Sequence, residues 1–389
     1  MATFHKLKLS EVYKETKDTT VLGFDIPEEL QREFAFQQGQ HLTLKAMING
    51  EDVRRSYSLC SSPMEGIWRV AVKQIPGGVF STFVNESLKK GDSLEVMAPS
   101  GQFGVKSQPN ATKNYLFFAA GSGITPILSM IKTHLALEPN ATCKLFYVNR
   151  TAKTIIFKEA LEQLRNQYFG KLEIYYFLTK EQRDIALFNG RFDDDKMKVL
   201  TKTFIDIPDT SEVFLCGPED MVKYVSNYLV EAGLPKELIH FELFVTGLSE
   251  EDIKRAERLA QQKVEGVEVT IVDGGKEFHF TMTNDYDNLL DAALGAGADL
   301  PFACKGGVCS TCKCKVLEGK VEMKVNYALE EDELRQDLVL SCQSVPLSEK
   351  VKIDFDEMAK AGAILGSGGI IIVDDRTCAV DLTKSLVAF

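Results

Sequence analysis

The stretch Cys304-Lys305-Gly306-Gly307-Val308-Cys309-Ser310-Thr311-Cys312-Lys313-Cys314 sets three cysteines in the order C-x4-C-x2-C, and Cys342 follows after a gap of 29 residues. That is the ligand spacing of a plant-type [2Fe-2S] centre. Two irons bridged by two sulfides require two terminal thiolates on each iron, so Cys304, Cys309, Cys312 and Cys342 are the expected metal ligands. The Gly306-Gly307 pair lets backbone amides approach the sulfurs, and such hydrogen bonds tune a cluster's potential. A structural zinc site or buried free thiols is the competing reading, because C-x2-C is common to all three; the uneven gap and the distant fourth cysteine fit zinc poorly. Cys314, Cys60, Cys143 and Cys378 read as small core residues.

Upstream of this loop, Val267 to Val272 and Lys276 to Met282 flank an Asp273-Gly274-Gly275 turn, and the helix-like DNLLDAALGAG follows. Residues 267–358 are thus expected to form a small strand-rich domain with one main helix. Before it, Thr246 to Gly266 is polar and charged with little apolar periodicity, which reads as a linker that can be partly helical; as a flexible coil it would span roughly 25 Å r.m.s.. From Lys113 to Val245, apolar runs of strand length (Tyr115 to Ala120, Lys144 to Val148, Leu172 to Leu178, Glu212 to Cys216) alternate with helical stretches (Pro126 to Leu137, Phe157 to Tyr168, Pro218 to Ala232). Such alternation predicts a parallel sheet covered by helices over residues 109–245. Residues 1–108 carry short alternating segments separated by Gly, Pro and Asn turns, which predicts an antiparallel β-barrel. The fold class is therefore multidomain α/β plus β, followed by a tail at 359–389.

Composition narrows the function. With 44% apolar and 26% charged residues the chain can bury cores of ordinary size. The start lacks the apolar stretch of a secretory signal and no long apolar run occurs, so a soluble cytoplasmic protein with no membrane partner is expected. Residues 246–389 hold 16 Lys and Arg against 26 Asp and Glu, so nearly all of the net charge of −11 lies there. An acidic face repels phosphate backbones and attracts basic surfaces, which disfavours nucleic acid and favours a basic protein partner, although solubility alone accounts for the charge equally well.

Four segments carry candidate cofactor chemistry. Arg55-Ser56-Tyr57-Ser58 closes a barrel strand and suits a flavin: the Arg neutralises a phosphate, the Tyr lies on the ring, and Ser58 reaches a ring nitrogen. An ordinary strand with an exposed Arg gives the same four letters. Val72 and Lys73 lead through Gly77-Gly78 to Ser81 and Thr82 at a helical start, a phosphate cradle by chemistry and a plain turn by default. Gly121-Ser122-Gly123-Ile124-Thr125-Pro126 follows a strand and opens a helix, which suits the pyrophosphate of a nicotinamide dinucleotide. It lacks the third Gly of the Rossmann fingerprint and an acidic ribose ligand; Arg150, followed by Thr151, ends the next strand where it can meet a 2′-phosphate or simply face solvent. Cys216-Gly217-Pro218 ends a later strand at the carboxyl edge, beside a nicotinamide or as a buried strand end.

In order, RSYS, GGVFST, GSGITP, NRT, CGP and CKGGVCSTCKC resemble the ferredoxin–NADP reductase superfamily with a fused C-terminal ferredoxin domain. Within it, DLPFACKGGVC and GKVEMKVNYALEEDEL are similar to the reductase subunits of phenylacetyl-CoA epoxidase systems. The resemblance implies a β-grasp ferredoxin fold, FAD, NADPH and a diiron epoxidase as electron acceptor docking on the acidic domain. It puts Arg55, Tyr57 and Ser58 on the flavin, Ser81 and Thr82 by its phosphates, and Gly123, Thr125, Arg150 and Cys216 along the nucleotide. Phe244 falls where relatives cover the flavin face, while a core Phe is the plainer reading. Relatives end near Asp354-Phe355-Asp356; the further stretch from Leu365 to Asp381 resembles a fragment of the flavin-binding subunit of respiratory complex I, without the cysteines that follow there, and it implies no function.

Hydride delivers two electrons and a two-iron centre accepts one, so a flavin between them explains why these modules share a chain. The expected activity is electron transfer from NADPH through FAD and the cluster to an oxygenase. One alternative is an NADH-dependent FMN or FAD reductase of a Rieske-type dioxygenase or demethylase; the other is a non-catalytic redox sensor or scaffold.

Overall fold

The first strand, β1 (Phe4–Thr16), alternates buried Leu7 and Leu9 with exposed Lys6 and Lys8, the period of a strand wetted on one side. The structure, a computed structural model, describes residues 3–244, 250–329 and 331–356. β1 is joined by β2 (Thr19–Asp25), β3 (His41–Ile48), β4 (Glu51–Ser58), β5 (Trp68–Lys73) and β6 (Ser93–Met97) in one antiparallel sheet of order β4-β3-β6-β1-β2-β5. A bridge between Leu59 and Val70, with the Cys60 amide donating to the Arg69 carbonyl at 2.8 Å, ties the two end strands and closes the barrel. The β3–β4 hairpin turns through Asn49-Gly50, both left-handed, the chemistry a two-residue turn requires. Helix α1 (Val79–Glu86) packs Phe80 and Val84 into the barrel core.

The second unit is a five-stranded parallel sheet of order β11-β10-β7-β8-β9. Its strands are β7 (Asn114–Ala120), β8 (Thr142–Asn149), β9 (Leu172–Leu178), β10 (Glu212–Gly217) and β11 (Ile239–Leu243), crossed over by α2 (Ile124–Leu137), α3 (Lys158–Gln167), α4 (Asp194–Thr203) and α5 (Glu219–Glu231). β7 is buried almost throughout, as a central strand covered on both faces must be. The chain steps outward from β7 to β8 and β9, then returns to place β10 on the other side. The β7–β10 junction is therefore the switch point, where parallel sheets open a crevice beyond their carboxyl ends.

Within the expected linker, the partly helical alternative is the one the structure adopts. Residues Glu250–Gln262 form α6, with Leu259 fully buried, the Asp252 carboxylate accepting from the Tyr327 hydroxyl and Arg258 paired with Glu322. Good helix formers supply the turn-by-turn preference, and one apolar anchor with two polar contacts docks the helix on the domain that follows. That domain joins β12 (Val267–Asp273), β13 (Lys276–Met282), β14 (Lys313–Glu318), β16 (Leu338–Leu340) and β18 (Lys350–Asp354) in the order β13-β12-β18-β14-β16. A short pair, β15 (Val321–Met323) with β17 (Ser344–Pro346), lies apart, and α7 (Leu289–Gly295) and the one-turn α8 (Glu331–Leu334) complete it. β12 and β13 pair up to Asp273 and Lys276, so the turn read from sequence as Asp273-Gly274-Gly275 is the two residues Gly274-Gly275, with Asp273 inside the strand. The tail expected at 359–389, and Cys378 within it, lie outside the described residues. Among the described residues no helix is long and apolar enough to cross a membrane.

Candidate functional site

The loop between α7 and β14 brings the four predicted thiols together as two pairs. Cys304 lies beside Cys309, and Cys312 beside Cys342, each thiol shifting its neighbour's titration. No disulfide involves them. No three metal-ligating side chains among the described residues converge on a point that a single ion could occupy. Two neighbouring thiol pairs are the donor set of a two-iron centre, whereas zinc needs four donors around one atom. The loop adopts left-handed conformations at Lys305, Gly307 and Ser310, which curl it so that its amides point inward. The Gly306 amide donates to Cys304 Sγ at 3.3 Å, and the Gln343 side-chain amide lies 3.7 Å from Cys342 Sγ. The partner thiol and then backbone amides pull Cys304 toward the thiolate, and Cys342 is pulled the same way by Cys312 and the Gly307 amide; burial opposes both. Cys314, fully buried, is pushed up by burial and remains a core thiol, as do Cys60 and Cys143.

The flavin candidates lie on β4. Tyr57 packs near Phe80, ring centres 5.9 Å apart, and burial pushes its hydroxyl up, so it stays neutral. Arg55 is exposed, with Nη1 donating to the Arg54 carbonyl at 2.6 Å. Ser56 shares a 3.1 Å hydrogen bond with Thr43 on β3, so its hydroxyl braces the hairpin. In the cradle, Ser81 Oγ accepts from the Ile75 amide and donates to the Gly78 carbonyl, both at 3.2 Å. That hydroxyl shapes the turn, and a phosphate would be met by the amides opening α1, which has no side-chain cap. The Thr82 hydroxyl accepts from the Gln74 side-chain amide at 3.5 Å, and the Val72 carbonyl accepts from the Asn85 side-chain amide at 3.0 Å. Lys73 extends toward the Gly121 turn of the second unit.

Two nucleotide motifs meet at the switch point. A Cβ on Gly123 would lie 2.2 Å from the Cys216 carbonyl oxygen, so the turn after β7 needs a glycine to lie against the end of β10. Helix α2 opens there without a side-chain cap, Thr125 Oγ1 donates to the Ser122 carbonyl at 3.0 Å, and Pro218 caps α5 alongside. Arg150 is exposed at the end of β8, and the Thr151 backbone is held by the Thr154 hydroxyl. The Phe244 amide donates to the Gly217 carbonyl at 3.0 Å, and Phe244 packs partly buried against the core that contains Cys216.

One residue here escaped the sequence reading. Glu242 on β11 faces Cys216 across the β10–β11 register, and Ser58 Oγ donates to its Oε2 at 3.2 Å, a bond from barrel to parallel sheet. Burial pushes this carboxyl up to about 7, with the Ser58 bond opposing. Burial, then Glu242, push the Cys216 thiol well up, so it stays protonated. A glutamate among apolar residues of a strand next to Phe244 was the available signal.

Barrel, parallel sheet and two-pair cysteine loop on one chain define a pyridine-nucleotide-dependent flavin and iron–sulfur oxidoreductase. Family models match in the same order: an oxidoreductase FAD-binding domain at 6–104, an oxidoreductase NAD-binding domain at 117–227 and a 2Fe-2S iron-sulfur cluster binding domain at 271–347. The chain is 43% identical to one subunit of the 1,2-phenylacetyl-CoA epoxidase of Escherichia coli K12, covering 93% of this chain and all of that one. It is 32% identical to the ferredoxin reductase component of 3-ketosteroid-9-alpha-monooxygenase of Rhodococcus rhodochrous, over 90% and 96% of the two chains. Phthalate dioxygenase reductase shares its fold at a TM-score of 0.57 and 23% identity, over 90% of this chain and 98% of that one. The chain belongs to the family of three-module reductase components of oxygenase systems, the family of that epoxidase subunit.

Proposed function

We propose that this chain is the NADPH-dependent reductase of a phenylacetyl-CoA epoxidase system, taking electrons from NADPH through FAD and a [2Fe-2S] cluster to a diiron oxygenase component. The observation that carries the reading is the identity to the epoxidase subunit over that protein's full length, through all three modules. When bound, a flavin accepts a hydride's two electrons and a two-iron cluster accepts one at a time, which is the division of labour the module order serves.

The chain's own residues then have definable tasks. The thiol pairs Cys304–Cys309 and Cys312–Cys342 hold one iron each. Arg55, Tyr57 and the amides opening α1 hold the flavin, with Thr82 beside its phosphates. The Gly121–Thr125 turn receives the dinucleotide pyrophosphate, and Arg150 supplies the positive charge that favours a 2′-phosphate. Glu242 keeps its proton up to near neutrality while its Oε2 accepts from Ser58 Oγ, so a proton can be held or released beside the place where ring and nicotinamide would meet. Cys216 stays a neutral thiol at the end of β10, against the turn that would receive the nucleotide, and Phe244, packed on the core that contains Cys216, would cover the flavin face. The acidic ferredoxin domain faces the acceptor protein.

Turnover with reconstituted epoxidase subunits, comparing NADPH with NADH and identifying the released flavin, tests this reading. It predicts product formation, an NADPH preference lost in Arg150→Ala, and FAD. Cys309→Ser is expected to abolish cytochrome c reduction while sparing ferricyanide reduction by the flavin. FMN with an NADH preference, and turnover only with a Rieske-type oxygenase, would favour the second reading, which rests on the identity to the ketosteroid monooxygenase reductase.

A further inference from the structure

The thiol loop touches the barrel at a side-chain contact outside both sites. Arg54, the residue before Arg55 on β4, is only 7% exposed, and its guanidinium carbon lies 4.0 Å from the ring centre of Phe302, two residues before Cys304. The guanidinium is aimed rather than loose: its Nε and Nη2 donate to the two carboxylate oxygens of Asp52 at 3.1 and 2.9 Å. Its remaining nitrogen, Nη1, is buried and has no hydrogen-bond partner. A buried, unpaired guanidinium nitrogen is costly, and the guanidinium is held between two aromatic rings, Phe4 of the barrel at 5.0 Å and, closer, Phe302 of the cysteine loop at 4.0 Å, so it bridges the two domains. The Phe302 ring also has a cation from its own domain near it: Lys305 Nζ lies 4.7 Å from the centre, held by Asp291 at 2.7 Å. One aromatic ring in the cysteine loop is thus shared by a cation from each domain, one residue from the flavin candidate Arg55 on one side and two from a thiol on the other.

We infer that Arg54 and Phe302 are positioning residues for electron transfer inside the chain: their stacking docks the cysteine loop on the flavin strand and fixes the gap the electron crosses. Tunnelling falls steeply with distance, so a docking contact set between the two cofactor segments governs the step from flavin to cluster without touching hydride transfer. In that step a reduced flavin loses one electron and an oxidised cluster gains it, so the electrons balance with no other reactant. The contact is small, one ring against one guanidinium, which suits a domain that must also release the ring's neighbourhood to meet its acceptor. This inference rests on the proposed electron path.

The test uses the holoenzyme and the variants Arg54→Met, Arg54→Lys, Phe302→Leu and the Arg54→Met/Phe302→Leu double. Anaerobic stopped flow follows flavin bleaching by the nicotinamide, rapid-freeze EPR follows cluster reduction, and hydrogen exchange follows residues 51–58 and 300–306. Expected are flavin bleaching within about twofold of the parent, cluster reduction slowed roughly tenfold or more in each single Met or Leu variant, and a double variant no slower than the slower single. Arg54→Lys, which keeps a cation on the ring, is expected to recover most of the rate, and faster exchange at 300–306 should accompany every slow variant. Unchanged cluster reduction, additive losses, or an equal loss of flavin bleaching would overturn the inference. A parent protein lacking iron would defeat the electron path instead, while the exchange cycle would still report on the docking contact.

Discussion

At Glu242, burial and the hydrogen bond from Ser58 act in opposite directions, and burial wins, holding the carboxyl at about 7 against an ordinary 4.5. Between those two values the unfolded chain has lost this proton while the folded chain keeps it. Folding therefore binds a proton there, so stability is fullest below pH 4.5 and falls as pH rises through about 7, by up to roughly 3 kcal/mol from this group. Glu242→Gln is expected to flatten that part of the dependence of unfolding midpoint on pH; an unaltered slope in the variant would assign it elsewhere. The same substitution should shift the pH profile of flavin reduction, because the proton beside Ser58 can then no longer leave.

At the scale of elements, the close approach of the turn after β7 to the end of β10 is the join on which the nucleotide crevice depends. Gly123→Ala puts a methyl group into the Cys216 carbonyl, and forced packing of that kind costs about 1–3 kcal/mol. We expect a lower denaturant midpoint together with slower bleaching of the flavin by NADPH, and an unperturbed cysteine loop by EPR. Much at this scale is legible in the amino-acid sequence. Asn49-Gly50 and Gly274-Gly275 announce their hairpins by turn chemistry, the apolar run of β7 announces a central parallel strand, and the C-x4-C-x2-C spacing announces the paired thiols. What stays hidden depends on contacts between segments far apart in the chain. The polar stretch that forms α6 shows its docked face only through Leu259, Asp252 and Arg258 meeting a later domain. Glu242 is an ordinary strand residue until the barrel delivers Ser58 to it, and Arg54 looks like a solvated charge until Phe302 covers it. The hydroxyls of Ser56 and Ser81, read as cofactor contacts, also brace a hairpin and a turn, a role that depends on neighbours the sequence does not place.

Over the whole molecule, the barrel and the parallel-sheet unit share buried packing, with Val21, Cys60 and Ala71 in the core that holds α2, and are tied by Ser129 to Ser61 and Ser58 to Glu242, while the cysteine domain meets them through Arg54 with Phe302 and through Tyr327, which joins α6 and packs against the sheet's other core. The Tyr327 amide also donates to the Gly307 carbonyl, so the cysteine loop is connected to the parallel-sheet unit as well as to the barrel. The joins at Ser58 and at Arg54 lie on or beside the proposed flavin strand, as a short electron path would require. The most direct measurement of that path is iron and acid-labile sulfide analysis of anaerobically purified protein, with EPR recorded before and after addition of NADPH. Two irons and two sulfides per chain, silent when oxidised and giving a [2Fe-2S] signal once NADPH is added, is the predicted result. Zinc in place of iron, or an iron centre that NADPH leaves oxidised, would contradict it.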